Sequence, residues 1–178
     1  HALGKRLTEE NHRFDLIYSS DAERAHHTAL IASTHLGYPV EKIRVTPQLA
    51  EVSQGDWEGK IRAEIFTPSR MQEVSGDPLH FQAPNGESQH DARLRMNGIL
   101  DEMIREHGAS SLQIAAFSHG YAIRSLVGHL LDASAMMTRQ IITHNTSLTV
   151  LRWKDPMWLI DRINDYAHLK GSSFIDHY

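Results

Sequence analysis

Three places in this 178-residue chain carry side chains that could handle an anion and a proton together. In Tyr18-Ser19-Ser20-Asp21-Ala22-Glu23-Arg24-Ala25 a run of strand formers ends and a helix begins, so Arg24 falls in the helix's first turn. A cation there opposes the helix dipole by a few tenths to about 1 kcal/mol, while the free backbone N–H groups favour an anion. Arg24 either forks onto a phosphate or carboxylate at the strand's end, or pairs with Asp21 or Glu23 on a solvated face. Phe117-Ser118-His119-Gly120 is a second such corner. Gly120 lets the backbone turn closely, and His119 sits beside the next helix's N–H groups, an arrangement suited to an anion. The alternative is that His119 only caps the helix or satisfies a neighbour. The loop from Leu49 to Gly59 adds Glu51, Asp56, Glu58 and Trp57. Partial burial of one of these carboxylates would make it a general acid, but composition does not select among them. Gly86-Glu87-Ser88 either joins such a site or only caps a helix.

The elements that must position these groups alternate. Helical spacing over 1–11 is followed by a strand at 14–18, a helix from Ala22 to about His35 with Gly37 as its stop, and a strand from Glu41 to Val45. Residues 46–60 read as a long functional loop, 61–74 as a helix, and 88–107 as a long helix opened by Ser-x-x-Asp. The apolar run Leu112 to Phe117 predicts a central parallel strand covered on both faces. A helix from Gly120 to Leu131, a short helix at 134–139, and a hairpin turned by Lys154, Asp155 and Pro156 complete the pass. The expected architecture is α/β, a three-layer α/β/α sandwich with a mostly parallel sheet, whose ligands bind beyond the carboxyl ends of the strands. No repeat or linker divides residues 1–178, which read as one domain. Gln54, Trp57, the helix after Lys60 and the Pro78 to Gly86 loop are expected to lie over the substrate, with Trp57 equally suited to anchoring the loop by packing.

A formal charge of −4, with 40% apolar and 22% charged residues, gives no bias toward nucleic acid or a membrane surface. No stretch approaches the roughly 18 apolar residues of a membrane span. The absence of cysteine removes disulfides and thiolate chemistry but leaves the compartment open; a cytoplasmic location is the expectation. Thirteen histidines raise the prospect of a histidine-based site. No HExxH or similar ligand spacing suggests a metal, His26 and His27 point about 100° apart on their helix, and no Gly-x-Gly-x-x-Gly follows a strand. Neither a metal nor another cofactor is expected.

Taken together, FDLIYSSDAERAHHTA, LAEVSQGDWEG, GES, FSHGYAIRSL and HNTSLTVL resemble, in order and spacing, the histidine phosphatase superfamily, also called the phosphoglycerate mutase-like family. The resemblance covers nearly the whole chain and implies that family's phosphate pocket of two histidines and two arginines with a carboxylate proton donor. Carried over by motif, Arg24 corresponds to the second phosphate-binding arginine, Glu51 to the proton donor and His119 to the second histidine. Gly120 and Tyr121 would border the phosphate through their backbone, and Asn145 and the segment RINDYAHL would support the site. The implied activity is hydrolysis of a small-molecule phosphate ester through a phosphohistidine. The loop sequence Ala50-Glu51-Val52-Ser53 departs from the Asn-Glu-Arg-x-Tyr-Gly pattern of the mutases, which favours hydrolysis over phosphoglycerate mutase-type transfer. A homodimer is left open.

One family motif is missing: no Arg-His-Gly, which would carry the nucleophile on the first strand, occurs in the sequence. The chain opens on His1 and enters a helix at once, and ALGKRL resembles the helix that follows that strand. The nucleophile strand is therefore expected upstream, within about 30 to 45 further residues by the family's layout. Without it, the alternative is a noncatalytic phosphate-binding or interaction module.

Overall fold

The strand formers at 14–18 become β1 (Leu16–Ser19) in a computed structural model that describes residues 1–108 and 110–171. Before it lies α1 (Ala2–Glu9), and after it α2 (Glu23–Leu36), which stops at Gly37 in the left-handed conformation, φ 67°. The strand expected from Glu41 is shorter: residues 40–42 form a 3₁₀ turn behind Pro39, and β2 comprises only Arg44–Val45. The single helix expected over 61–74 is two, α3 (Arg62–Ile65) and α4 (Pro68–Gly76). Pro68 explains the break, since it has no N–H to donate and excludes helical geometry from the residue before it. Thr67 is accordingly extended, with ψ 162°, and its hydroxyl caps α4 by accepting the Arg70 N–H at 3.3 Å.

The Ser-x-x-Asp signal opens α5 (Gln89–His107) as a full capping box. The Asp91 N–H donates to Ser88 Oγ and the Ser88 N–H to Asp91 Oδ2, both at 3.1 Å. Then follow β3 (Ile114–Phe117), α6 (Gly120–Leu130), α7 (Ala135–Arg139) and a hairpin of β4 (Leu148–Lys154) and β5 (Met157–Asp165). The hairpin turns through Asp155–Pro156 as the sequence indicates.

Strands β2, β1 and β3 pair in that order and run parallel, while β4 and β5 form a separate antiparallel pair. With helices on both faces of the parallel sheet, the result is the expected three-layer α/β/α arrangement. Side chains alternate along β1. Tyr18 enters a core cluster with Leu49, with Met96, Ile99, Leu100 and Met103 of α5, and with Ala122 and Leu126 of α6. Ile17 points the other way and is fully buried. Small residues Ala25, Ala29 and Ala32 line the buried side of α2, which contacts β1, β3 and α1. Leu151 and Trp158 bring the hairpin onto the same cluster as Tyr18, so both sheets share a core.

The central place expected for β3 is filled on one side only by the described residues. Among the described residues β3 pairs with β1 alone, and Ala116 is exposed. An apolar run reports that the faces of a strand are suited to burial; it carries no information about which hydrogen-bonding edge is filled.

Where α6 meets α7, Gly128 lies so close to Thr138 that an added Cβ would overlap the hydroxyl oxygen. That oxygen is fixed, accepting from Arg93 at 2.7 Å and donating to the Ser134 carbonyl at 3.0 Å, and Thr138 is fully buried. Gly128→Ala should therefore cost about 1 to 3 kcal/mol by overpacking, read from denaturant unfolding. An unchanged midpoint would mean that α7 yields freely and does not hold this contact.

Candidate active site

Parallel register sets Ser19 opposite Phe117, so β1 and β3 end at the same level and their following helices start side by side. The Ser20 N–H donates to the Phe117 carbonyl at 2.8 Å, extending the pairing by one bond. Ser20 is fully buried, its hydroxyl accepts the Ala22 N–H at 3.2 Å, and it lies 3.0 Å from His119 Nε2. Which of the two donates depends on the ring's tautomer. His119 precedes α6 but makes no side-chain cap bond, so its ring is directed at the strand ends and not at its own helix.

Arg24 lies in the first turn of α2, as expected, and is exposed. The ion pair with Asp21 or Glu23 that would have explained it does not form; among the described residues the guanidinium has no hydrogen bond or salt bridge. Its charge nevertheless reaches His119. Burial, followed by the Arg24 charge, holds the His119 pKa below its ordinary value, with Arg95 acting in the same direction and Glu51 and Asp21 opposing.

Of the three loop carboxylates, Glu51 is the one that lies at the start of α6. Its Oε2 accepts the Tyr121 N–H at 3.2 Å, and its Oε1 accepts the Ala122 and Val52 N–H groups, each at 2.9 Å. A carboxylate thus occupies the first turn of α6, where orphan donors and the helix dipole favour negative charge. The other two are engaged elsewhere. Asp56 accepts from the Asn85 amide at 3.1 and 3.2 Å, and Glu58 accepts from Ser53 Oγ at 3.1 Å and the Gln54 N–H at 3.2 Å. Ser118 Oγ donates to the Leu49 carbonyl at 2.7 Å and ties the start of the loop to the β3–α6 corner.

Arg24, Glu51 and His119 are therefore brought together at the strand ends, and Gly120 and Tyr121 form the helix start beside them. The Tyr121 amide, expected at a bound phosphate, is here occupied by Glu51. Trp57 packs against Phe66 and Phe81, with ring centroids 5.7 and 5.9 Å away, and also lines a cavity of about 260 Å³ with Lys60, Glu64 and Arg70. Asn145 is exposed; the support in its region comes from neighbours, with Asn164 Oδ1 accepting the His144 N–H at 2.7 Å. Sequence reasoning missed Ser20 as a partner of His119, because a serine after a strand reads first as a helix cap. It also missed Arg95, whose contacts are with backbone carbonyls and with a glutamate eight residues away.

The lowered pKa of His119 has a thermodynamic consequence. As pH falls, the unfolded chain takes up this proton first, near 6.5, and the folded state only later. The contribution of the neutral ring is intact above that pH and declines below it. His119→Asn should flatten the loss of unfolding free energy between about pH 7 and pH 5, leaving the part due to His168, whose pKa burial also lowers. A variant that loses stability as steeply as the parent would show that the His119 ring titrates alike in both states.

Comparison with known proteins agrees with the motif reading. A Saccharomyces cerevisiae protein named for 6-phosphofructo-2-kinase/fructose-2,6-bisphosphatase is 34% identical over 121 residues; the match takes in 68% of this chain and only 23% of that protein. A 2,3-bisphosphoglycerate-dependent phosphoglycerate mutase of Bartonella henselae is 27% identical over 146 residues, 80% of this chain and 71% of that protein. Among solved structures, a mycobacterial glucosyl-3-phosphoglycerate phosphatase complexed with VO3 superposes with a TM-score of 0.75 at 25% identity, covering 92% of this chain and 82% of that one. Residues 1–166 match the profile of the histidine phosphatase superfamily (branch 1), and the chain belongs to that superfamily.

Proposed function

We propose that this site hydrolyses a small phosphate monoester through a phosphohistidine. The single observation that carries the reading is the meeting of Arg24, His119 and Glu51 at the carboxyl ends of β1 and β3, with the Arg24 guanidinium unpaired among the described residues. Arg24 would bind equatorial phosphoryl oxygens in a fork, and His119 would hydrogen-bond the same group from the buried side. Gly120 and Tyr121 border it through the start of α6. For the Tyr121 N–H to face phosphate, Glu51 Oε2 must leave it, and that contact is the longest of the three that the carboxylate makes.

The nucleophile is assigned to a histidine on a strand outside these 178 residues, since the sequence contains no Arg-His-Gly. Two features support a strand beside β3: its outer edge is unpaired among the described residues, and the β4–β5 hairpin shares its core without pairing to it. One strand between them would join both sheets and fill hydrogen-bonding groups otherwise open. On this reading residues 1–178 form one domain lacking its first strand. The histidine nitrogen attacks phosphorus while the ester P–O bond breaks, and Glu51 in its acid form protonates the leaving oxygen. Water then attacks the phosphohistidine, Glu51 takes the water's proton, and phosphate and free histidine result. Residues Lys60 and Arg70 around the cavity beside Trp57 are suited to a polar leaving group.

The kinship with a phosphoglycerate mutase favours a second reading, phosphoryl transfer between positions of a phosphorylated acid. Product analysis with 3-phosphoglycerate and its bisphosphate separates the two: free phosphate should form faster than isomer, and the reverse would establish transfer.

The roles are tested on the natural full-length protein. Glu51→Gln and His119→Ala should each lower turnover of an alkyl phosphate by about 10² to 10³-fold. Arg24→Lys should also be damaging, because an ammonium cannot form the fork. Turnover by the first two variants within about threefold of the parent would refute the assignment. A natural protein that binds phosphate and turns over no ester would instead be a binding module.

A further inference from the structure

Residues 50–54, which carry Glu51, lie between the 3₁₀ turns Pro47–Leu49 and Gly55–Trp57 and belong to no helix or strand, so contacts from outside the segment must fix the backbone from which its carboxylate reaches α6. The guanidinium of Arg95, on α5, meets this need. Its Nη1 donates to the carbonyls of Gln48 at 2.7 Å and Ala50 at 3.0 Å, the second being the residue bonded to Glu51. Its Nε and Nη2 donate to the two carboxylate oxygens of Glu87, each at 2.7 Å. The pair is largely shielded, with side-chain exposures of 22% and 16%, unlike the surface pair Lys5–Glu9 at 74% and 65%. Glu87 is itself fixed from two sides. Its N–H donates to the Ser53 carbonyl at 2.9 Å, and it directly precedes the capping box that starts α5. The loop is thus gripped just before Glu51 by Arg95 and just after it by the Glu87 backbone.

We infer that Arg95 and Glu87 are positioning residues that set the proton-donating carboxylate of Glu51, a role that rests on the proposed reading of Glu51 as general acid. The guanidinium's planar geometry matters: it serves a carboxylate edge and two carbonyls at once, which a lysine ammonium at the same place cannot reproduce. A displacement of about 1 Å in a catalytic group is enough to cost about 10²-fold in rate.

A general acid matters in proportion to the leaving group's need for a proton, which supplies a readout that a merely structural role would not move. kcat/KM is measured on the natural full-length protein for an alkyl phosphate, whose alkoxide needs the proton, and for 2,4-dinitrophenyl phosphate, whose phenolate leaves without one. Taking the ratio within one preparation cancels any loss of folded enzyme. Glu51→Gln serves as the reference and should lose about 10² or more on the alkyl ester and less than about threefold on the dinitrophenyl ester. Arg95→Lys and the milder Glu87→Gln should show the same selectivity, with losses of about 10 to 100-fold on the alkyl ester alone. If Glu51→Gln is selective while both other variants lose equally on the two esters, the positioning role is overturned and the reading of Glu51 stands. If Glu51→Gln is itself unselective, the general-acid reading falls and the positioning role with it.

Discussion

The parallel pairing of β1 with β3 is the constraint on which the candidate site depends. Because Leu16 to Ser19 run in register with Ile114 to Phe117, the two chains leave the sheet at one level. Each then turns into a helix within three residues, so the first turns of α2 and α6 face the same space with N–H groups that have no partner within their own helix. That juxtaposition sets Ser20 against His119 and leaves Arg24 one turn away. A parallel sheet imposes this geometry without contact between the helices, which is why ligands of such folds collect at the carboxyl ends of strands. Here the place is filled from a third direction by Glu51, whose carboxylate lies on α6 as an anion would.

Burial and charge act together on these groups. His119 is removed from water and faces the Arg24 cation, so its ring is driven toward the neutral form. A neutral ring retains one donor and one acceptor nitrogen, and a phosphoryl dianion nearby would raise its proton affinity again. Arg24 remains without a partner among the described residues, in the place where its own helix dipole is least favourable to it. The unfavourable placement is offset once an anion binds, and this physical asymmetry supports the proposed phosphoryl pocket.

Much of this was legible from the residues. Gly37 stops α2 and Ser88 opens α5 because caps are local chemistry, and the hairpin after Ser147 follows from two strand-like runs on either side of Lys154, Asp155 and Pro156. Arg24 and His119 were located by their position after strands, which depends only on neighbours in the chain. The single helix expected over 61–74 failed because apolar spacing outweighed Pro68, and the strand expected from Glu41 starts only at Arg44 because Glu41 and Lys42 lie in a turn after Pro39. The choice of Glu51 among three carboxylates needed the family motif, since only the fold shows that Asp56 and Glu58 are consumed within the loop region. The grip of Arg95 on the carbonyls of Gln48 and Ala50 had no signal in residue types at all, because backbone acceptors are present everywhere.

The most direct test of a phosphoryl pocket at the strand ends is an NMR titration of the natural full-length protein with inorganic phosphate, following the backbone amides of Tyr121 and Ala122 and the ring of His119. The account predicts saturable shifts at both amides as Glu51 gives way, together with a rise in the His119 pKa, and loss of these changes in Arg24→Ala. Saturable binding that leaves these three resonances unmoved, or that survives removal of the Arg24 guanidinium undiminished, would contradict it.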